Sequence, residues 1–472
     1  MEPVETFWST ASPIDHTTRF GGIRGLSRDG VAVFRGMPYA AAPVGDLRFA
    51  APQRHPWAHQ PNFDATRWGA TPQRVSPGWG IPEPSVPGAD TLNLNVFAPT
   101  ATLRDGAALP VLVWIHGGGY TFGSAIGNWY DGRTLAQEGI ITVSISYRLG
   151  VDGFAHLDDA VDNRAVLDWI AALEWVQDHI AEFGGDPSRV TIAGQSAGAG
   201  AALALLATRR ARGLFQRVWS MSGVLDSFGV DDAAARTARL SASLGLARSD
   251  TAHYGALSDQ FLEQTLVALP EDIPFAPVVG EDLFPDGIPS GIQAHSDVPL
   301  VLGATADEGT WNAEEPRIEP DAARAMLAEF GVADIDAREF VSRAEGTTAL
   351  TLSRIKSELY FRSTVVEVRR RRAEAAHTRV YDYTWGPAAL GGLALHCNEI
   401  PLFFGTHDEP SAQAVLGTDI PDEVRGFHDD VRRFILGEDA PANDAITVYG
   451  PGAGDGFHLA APLAARWDAA GE

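Results

Sequence analysis

Arg189-Val190-Thr191-Ile192-Ala193-Gly194-Gln195-Ser196-Ala197-Gly198 is the stretch on which the reading of this chain turns. Arg189 to Ala193 is a short apolar, β-branched run of the kind that forms a strand buried on both faces. From Ala197 to about Thr208 the chain becomes rich in alanine and leucine, which favours a helix. Gly194, Ala197 and Gly198 are small enough for strand and helix backbones to pass closely through a sharp turn, and Ser196 stands at its apex. A serine held in this way is a candidate nucleophile in a strained conformation.

Outward from the turn, the periodicity changes repeatedly between strand and helix. Strands are expected at Val31–Phe34, Leu92–Phe97, Val111–Ile115, Ile140–Tyr147, Arg217–Met221, Val298–Ala304 and Arg379–Tyr383. Val166, Ile170, Leu173, Val176, Ile180 and Phe183 recur at helical spacing and stop at Gly184-Gly185-Asp186-Pro187. Further helical stretches are read at Ala233–Leu244, Pro320–Phe330 and Leu350–His377. Strand, helix and strand in succession imply parallel pairing with helical crossovers, so the expected class is α/β, a central mostly parallel sheet flanked by helices. No linker, repeat or low-complexity run divides the chain. A single domain over 1–472 is expected, with helical insertions at about 228–274 and 310–378. The basic cluster Arg369 to Arg372 is read as a solvated or acid-paired helix face.

Composition removes several functional classes. Lys and Arg number 36 against 61 Asp and Glu, a formal charge of −25, which repels nucleic acid from most of the surface. Cys397 is the single cysteine, so neither an internal disulfide nor a cysteine metal site is expected. The first 19 residues lack a basic start followed by an apolar stretch, and no apolar run approaches the roughly 20 residues a membrane helix needs. A cytoplasmic protein is expected. Walker, dinucleotide, zinc-protease and calcium-loop patterns are missing, so no cofactor and no metal are expected.

A serine that attacks a carbonyl needs preorganised donors for the oxyanion, each worth on the order of 3 kcal/mol in the transition state. His116-Gly117-Gly118-Gly119 follows the apolar run Val111–Ile115, and its glycines let backbone N–H groups turn towards one point. The donors are assigned as the amides of Gly118, Gly119 and Ala197. His116 itself is read as a structural residue.

Motifs along nearly the whole chain resemble the type-B carboxylesterase family, which includes the cholinesterases. They are Phe34-Arg35-Gly36-Met37-Pro38-Tyr39-Ala40 with Leu47-Arg48-Phe49, then Leu92-Asn93-Leu94-Asn95-Val96, Tyr147-Arg148-Leu149-Gly150 and Phe183-Gly184-Gly185-Asp186-Pro187, followed by the serine turn. The resemblance implies an α/β-hydrolase fold and a Ser-His-Glu triad, and it selects members that spacing alone leaves open. Thr305-Ala306-Asp307-Glu308-Gly309 is similar to the segment carrying the acid, which makes Glu308 the acid and Asp307 its rival. Leu395-His396-Cys397-Asn398-Glu399-Ile400-Pro401 resembles the segment carrying the base, His396. Ser222 is similar to a supporting hydroxyl beside the acid.

The chain departs from the family in three ways. Gln195 stands where a glutamate often precedes the serine, Thr91 stands near an expected cysteine, and the region from Thr310 to Tyr383 is short. The implied function is hydrolysis of a small carboxylic ester through an acyl-enzyme. The alternatives are a lipase, an amidase or carbamate hydrolase on the same site, or a non-catalytic binding protein of the same fold. Cys397, next to the base, is read as a buried small residue rather than a reactive thiol.

Overall fold

Side-chain alternation along the strand Leu109–Ile115 sets the layering. Val111, Val113 and Ile115 enter one hydrophobic core, while Leu112 and Trp114 enter another on the opposite face. A strand apolar on both sides must be covered on both sides. The computed structural model, which describes residues 7–19, 21–55, 62–72, 83–258, 261–262, 274–280, 282–309, 315–347, 350–375, 377–438, 445–452 and 456–469, shows how.

The strands are β1 (Ser12–Thr18), β2 (Gly21–Arg28), β3 (Val31–Pro38), β4 (Asn62–Asp64), β5 (Asn93–Pro99), β6 (Leu109–Ile115), β7 (Ile141–Ile145), β8 (Gly185–Gln195), β9 (Arg217–Met221), β10 (Phe228–Gly229), β11 (Val278–Val279), β12 (Leu300–Thr305), β13 (Thr378–Tyr383) and β14 (Thr447–Tyr449). Among the described residues, twelve of them make one sheet ordered β1-β2-β3-β5-β7-β6-β8-β9-β12-β13-β14, with β4 beside β2. From β7 to β14 every neighbour pairs parallel. The N-terminal flank, β1-β2-β3-β5-β7, is antiparallel. This is the α/β-hydrolase architecture, a large mostly parallel sheet between helices.

Helix α1 (Arg164–His179) buries Val166, Trp169, Ile170, Leu173 and Val176 in the first core, beside α2 (Ala197–Ala207), which is buried along its whole length. On the other face α3 (Asp422–Leu436) sends Val424, Phe427, Val431 and Phe434 against Trp114, Trp219 and Tyr381. Each such side chain stabilises the fold by roughly 1.5–3 kcal/mol when fully buried. No helix among the described residues is long and apolar enough to cross a membrane.

Three features differ from the sequence expectation. β1, β2, β4, β10, β11 and β14 were not expected: β10, β11 and β14 are two or three residues long, and β1 is polar and largely exposed and so carries no apolar alternation. The stretch Leu350–His377 is not one helix: it runs as Leu352–Lys356, a π-helical turn Ser357–Arg362, and Ser363–Arg371. Within the basic cluster, Arg370 and Arg371 pair with Glu367. Arg372, however, is buried and donates to the carbonyls of Ile292, His295, Ser296 and Val298. Parts of the two expected insertions, at 263–273 and 310–314, lie outside the described residues.

Candidate active site

The serine turn is built as its glycines require. A Cβ on Gly198 would lie 2.1 Å from the Ile115 carbonyl oxygen, and one on Gly194 would lie 2.3 Å from the backbone of Gly198. Glycine at both positions lets β6, β8 and the start of α2 meet. Ser196 sits between them at φ 59°, ψ −127°, a strained conformation for a residue with a side chain. Its N–H donates to the Met221 carbonyl at 2.9 Å and its carbonyl accepts from Gly200 at 2.9 Å, which ties the strained residue to β9 and to α2.

The glycine loop after β6 abuts this turn. A Cβ on Gly117 would stand 3.1 Å from Ser196 Cβ, so the loop passes directly over the serine. Gly118 and Gly119 take φ +106° and +58°. The amide N–H groups of Gly118, Gly119 and Ala197 donate to no acceptor among the described residues. His116 is held beneath by its stack on Tyr147, ring centroids 4.4 Å apart, with Nδ1 2.9 Å from the Gly117 carbonyl. Burial pulls its imidazole down to about 4, so it is neutral at ordinary pH and acts as a structural plate.

Glu308 and His396, 88 residues apart, are brought together. Glu308 follows β12; its Oε1 accepts the Thr305 N–H at 2.7 Å and its Oε2 meets Nδ1 of His396. Asp307 points elsewhere, accepting from Arg354 at 3.2 Å and from the Ala394 N–H at 3.0 Å. Gln195 lies over the other side of the ring, its Nε2 3.1 Å from His396 Nε2, and its Oε1 accepts the Cys397 thiol at 3.2 Å. No hydrogen bond joins Ser196 Oγ to the ring in this state.

The Ser222 hydroxyl is directed not at Glu308 but at Glu399, whose Oε1 it meets at 3.4 Å. Glu399 is the functional-site residue that sequence reasoning missed. It is fully buried, its Oε2 has no hydrogen-bond partner, and its carboxyl is pushed up to about 8, first by burial and then by the charge of Glu308. Two buried carboxyls therefore stand side by side, and the one without the imidazole stays protonated. The available signal was an acidic residue inside the apolar run Ile400-Pro401-Leu402-Phe403-Phe404 and its approach.

A cavity of about 860 Å³ is lined by Thr121, just after the glycine loop; its walls also include Phe49, Arg148, Leu149 and Val151 but none of Ser196, Glu308 or His396. Among the described residues, no three His, Cys, Asp or Glu side chains are grouped as a metal site requires.

The model of the carboxylesterase family matches residues 12–438. The chain is 34% identical over 436 residues to the para-nitrobenzyl esterase of Bacillus subtilis (strain 168), covering 87% of this chain and 86% of that one. It is 35% identical over 439 residues to the phenmedipham hydrolase of Pseudarthrobacter oxydans, with the same coverage of 87% and 86%. Among solved structures it is similar to a PNB esterase, with a TM-score of 0.79 at 30% identity over 92% of this chain and 95% of that one. It is also similar to a carboxylesterase of Geobacillus stearothermophilus, with a TM-score of 0.80 at 28% identity over 95% and 99%. A family match over nearly the whole chain, on a fold that sets a strained serine beneath a glycine loop, makes this protein a member of the carboxylesterase family of carboxylic ester hydrolases.

Proposed function

We propose that the protein is a serine carboxylesterase acting on small-molecule esters, with Ser196 as nucleophile, His396 as general base, Glu308 as the acid that orients it, and the amides of Gly118, Gly119 and Ala197 as the oxyanion hole. The observation that carries this reading is the contact of Glu308 Oε2 with His396 Nδ1, made beside a serine in a strained turn. With Nδ1 held by the carboxylate, Nε2 is the ring atom that serves as the base.

On this reading Nε2 takes the Ser196 proton as Oγ attacks the ester carbonyl, and Glu308 stabilises the imidazolium that forms. The negative charge that develops on the carbonyl oxygen is met by three N–H groups that have no competing acceptor. His396 returns the proton to the leaving alcohol. It then activates a water that releases the acid, regenerating Ser196. Gln195 lies against the ring, and Ser222 contacts Glu399, whose protonated carboxyl puts no second negative charge beside Glu308.

The test is hydrolysis of short-chain p-nitrophenyl and p-nitrobenzyl esters by wild type, Ser196→Ala and Glu308→Gln, each checked by circular dichroism. The reading expects no turnover in the folded serine variant and a loss of about 10,000-fold in the glutamate variant, the scale of a lost tautomer-fixing acid. Full activity in Ser196→Ala would overturn it. Because one relative is named for hydrolysing phenmedipham, that compound belongs in the same assay. Its turnover without ester turnover would replace the carboxylesterase reading with the narrower one.

A further inference from the structure

We propose that the π-helical turn Ser357–Arg362 is a positioning element for the hydrolytic step, with Phe361 holding the His396 ring in line between Glu308 and Ser196; this rests on the roles assigned above. The ring of Phe361 lies 4.6 Å from the His396 ring, centroid to centroid, at an interplanar angle of 42°. Phe361 is half-buried and belongs to none of the loops that carry the three residues of the proposed triad.

The need for such a contact follows from how His396 is held. A carboxylate at Nδ1 fixes one atom of the ring and leaves rotation about that bond free. Gln195 touches the ring through its amide nitrogen, 3.1 Å from Nε2 and 3.3 Å from Nδ1, and so sits across one side of it. Phe361 adds an aromatic contact to the same ring. A flat aromatic face limits the swing of the imidazole, and its quadrupole favours the positive charge that the ring acquires as Ser196 loses its proton.

The same turn grips the segment that carries Glu308. Ser357 Oγ accepts the Gly309 N–H at 2.9 Å. Arg362 donates to the Thr305 carbonyl at 2.8 Å while pairing with Asp382 at 2.9 Å. One turn earlier, Arg354 donates to the Ala306 carbonyl at 2.8 Å and to Asp307 at 3.2 Å. An α-helix sets residues four apart on one face, so Ser357 and Phe361 share one and Arg354, Glu358 and Arg362 share the next. The wider π-turn lets both faces reach the Thr305–Gly309 segment and the imidazole together, the kind of local distortion that recurs at functional sites. On its far side Tyr360 packs on Phe330, 5.7 Å between centroids, which anchors the turn in a hydrophobic core of its own. Base and acid are thus held by one rigid piece of helix.

The experiment compares wild type, Phe361→Ala, Phe361→Leu and Phe361→Tyr, with Ser196→Ala as the dead control, in p-nitrophenyl ester turnover. Burst titration counts the reactive serines and a thermal melt reports folding. Misplacing a reacting group by about 1 Å costs roughly 100-fold, so Phe361→Ala is expected to lose roughly 10- to 100-fold in kcat per titrated serine with KM little changed. Phe361→Tyr, which keeps the aromatic face, is expected to recover most of it. A wild-type kcat in Phe361→Ala, or a loss that follows only the fraction folded, overturns the proposal. Should the alanine variant not fold, Phe361→Leu tests the same contact, and a wild-type kcat there overturns it too. Turnover by Ser196→Ala would instead strike the triad, a separate outcome visible in the same assay.

Discussion

The side-chain amide of Gln195 stands 3.1 Å from Nε2 of His396 and is oriented by the Cys397 thiol, which donates to its oxygen at 3.2 Å. Its nitrogen is also 3.3 Å from Nδ1, so the amide lies across one face of the ring rather than in line with either nitrogen. An amide at that place sets no net charge beside the ring. A carboxylate at the same place would set one there, and a negative charge within 4–6 Å stabilises the imidazolium by about one pH unit or more.

Gln195→Glu is accordingly expected to move the acid limb of the kcat/KM profile to higher pH. A general base works only when unprotonated; a neighbour that stabilises its protonated form keeps it protonated to a higher pH, so activity fails earlier on acidification. The profile measured from pH 5 to 9 on a nitrophenyl ester checks this. Glu308 is present in both proteins, so it contributes equally and the displacement belongs to residue 195.

Cys397 occupies φ +74°, a conformation that favours glycine. Cys397→Gly relieves that strain, about 1 kcal/mol or more, and gives up the hydrogen bond to Gln195, of comparable size. The expected shift in melting temperature is a few degrees at most in either direction, read by a thermal scan. Burial also raises the thiol well above its ordinary value, so the reactive thiolate is scarce. Alkylation by iodoacetamide at pH 8 is expected to be at least tenfold slower in the native protein than in urea, measured by mass spectrometry.

What the sequence disclosed follows from the range of the interactions involved. The turn Gly194–Gly198 was legible because its constraint is local: small residues between an apolar strand and an alanine-rich helix have few other uses. Glu308 and His396, by contrast, came from family resemblance, since nothing within either segment says that they meet. Glu399 was overlooked because its meaning depends on burial beside Glu308, a tertiary fact. The π-turn at Ser357–Arg362 keeps helical periodicity and differs from an α-helix in its hydrogen bonding, which composition does not encode. Of the antiparallel flank, β3, β5 and β7 were legible, while its edge strand β1 was hidden for a different reason. β1 is exposed at five of its seven positions or only half-buried there, so no apolar alternation was selected.

Glu399 makes stability depend on pH in a stated direction. Its carboxyl is raised from an ordinary 4.5 to about 8, so between those values the folded protein holds a proton that the unfolded chain has released. Stability is then fully present below about pH 4.5 and is lost as pH rises towards 8. Glu399→Gln keeps the shape of the neutral acid and cannot ionise. Urea unfolding should find the variant close to wild type at pH 5 and more stable than wild type at pH 8.5, by on the order of a few kcal/mol. Equal midpoints at both pH values would show that Glu399 is not held neutral.

Arg148 and Asp168 make the most completely buried ion pair near the site, and its geometry says which half is expendable. Nε and Nη2 of Arg148 reach the two carboxylate oxygens at 2.9 and 2.7 Å, and the Arg148 N–H adds a third donor at 3.1 Å. The remaining Arg148 nitrogen donates to the carbonyls of Arg48 and Ala50 at 3.0 and 2.7 Å, which fastens the N-terminal segment to the loop after β7. Both side chains are almost wholly withdrawn from water. Arg148→Met leaves a buried carboxylate without its cation and two carbonyls without their donor, and is expected to destabilise by roughly 3–5 kcal/mol. The double variant Arg148→Met with Asp168→Leu removes the orphaned charge as well, so it should recover part of that loss. Urea midpoints of the single and double variants separate the two contributions: what the second substitution restores is the penalty of an unpaired carboxylate, and what remains is the anchoring of residues 48 and 50, which in turn holds the loop ahead of Gly150 against Tyr120 of the glycine loop through their 2.7 Å backbone hydrogen bond.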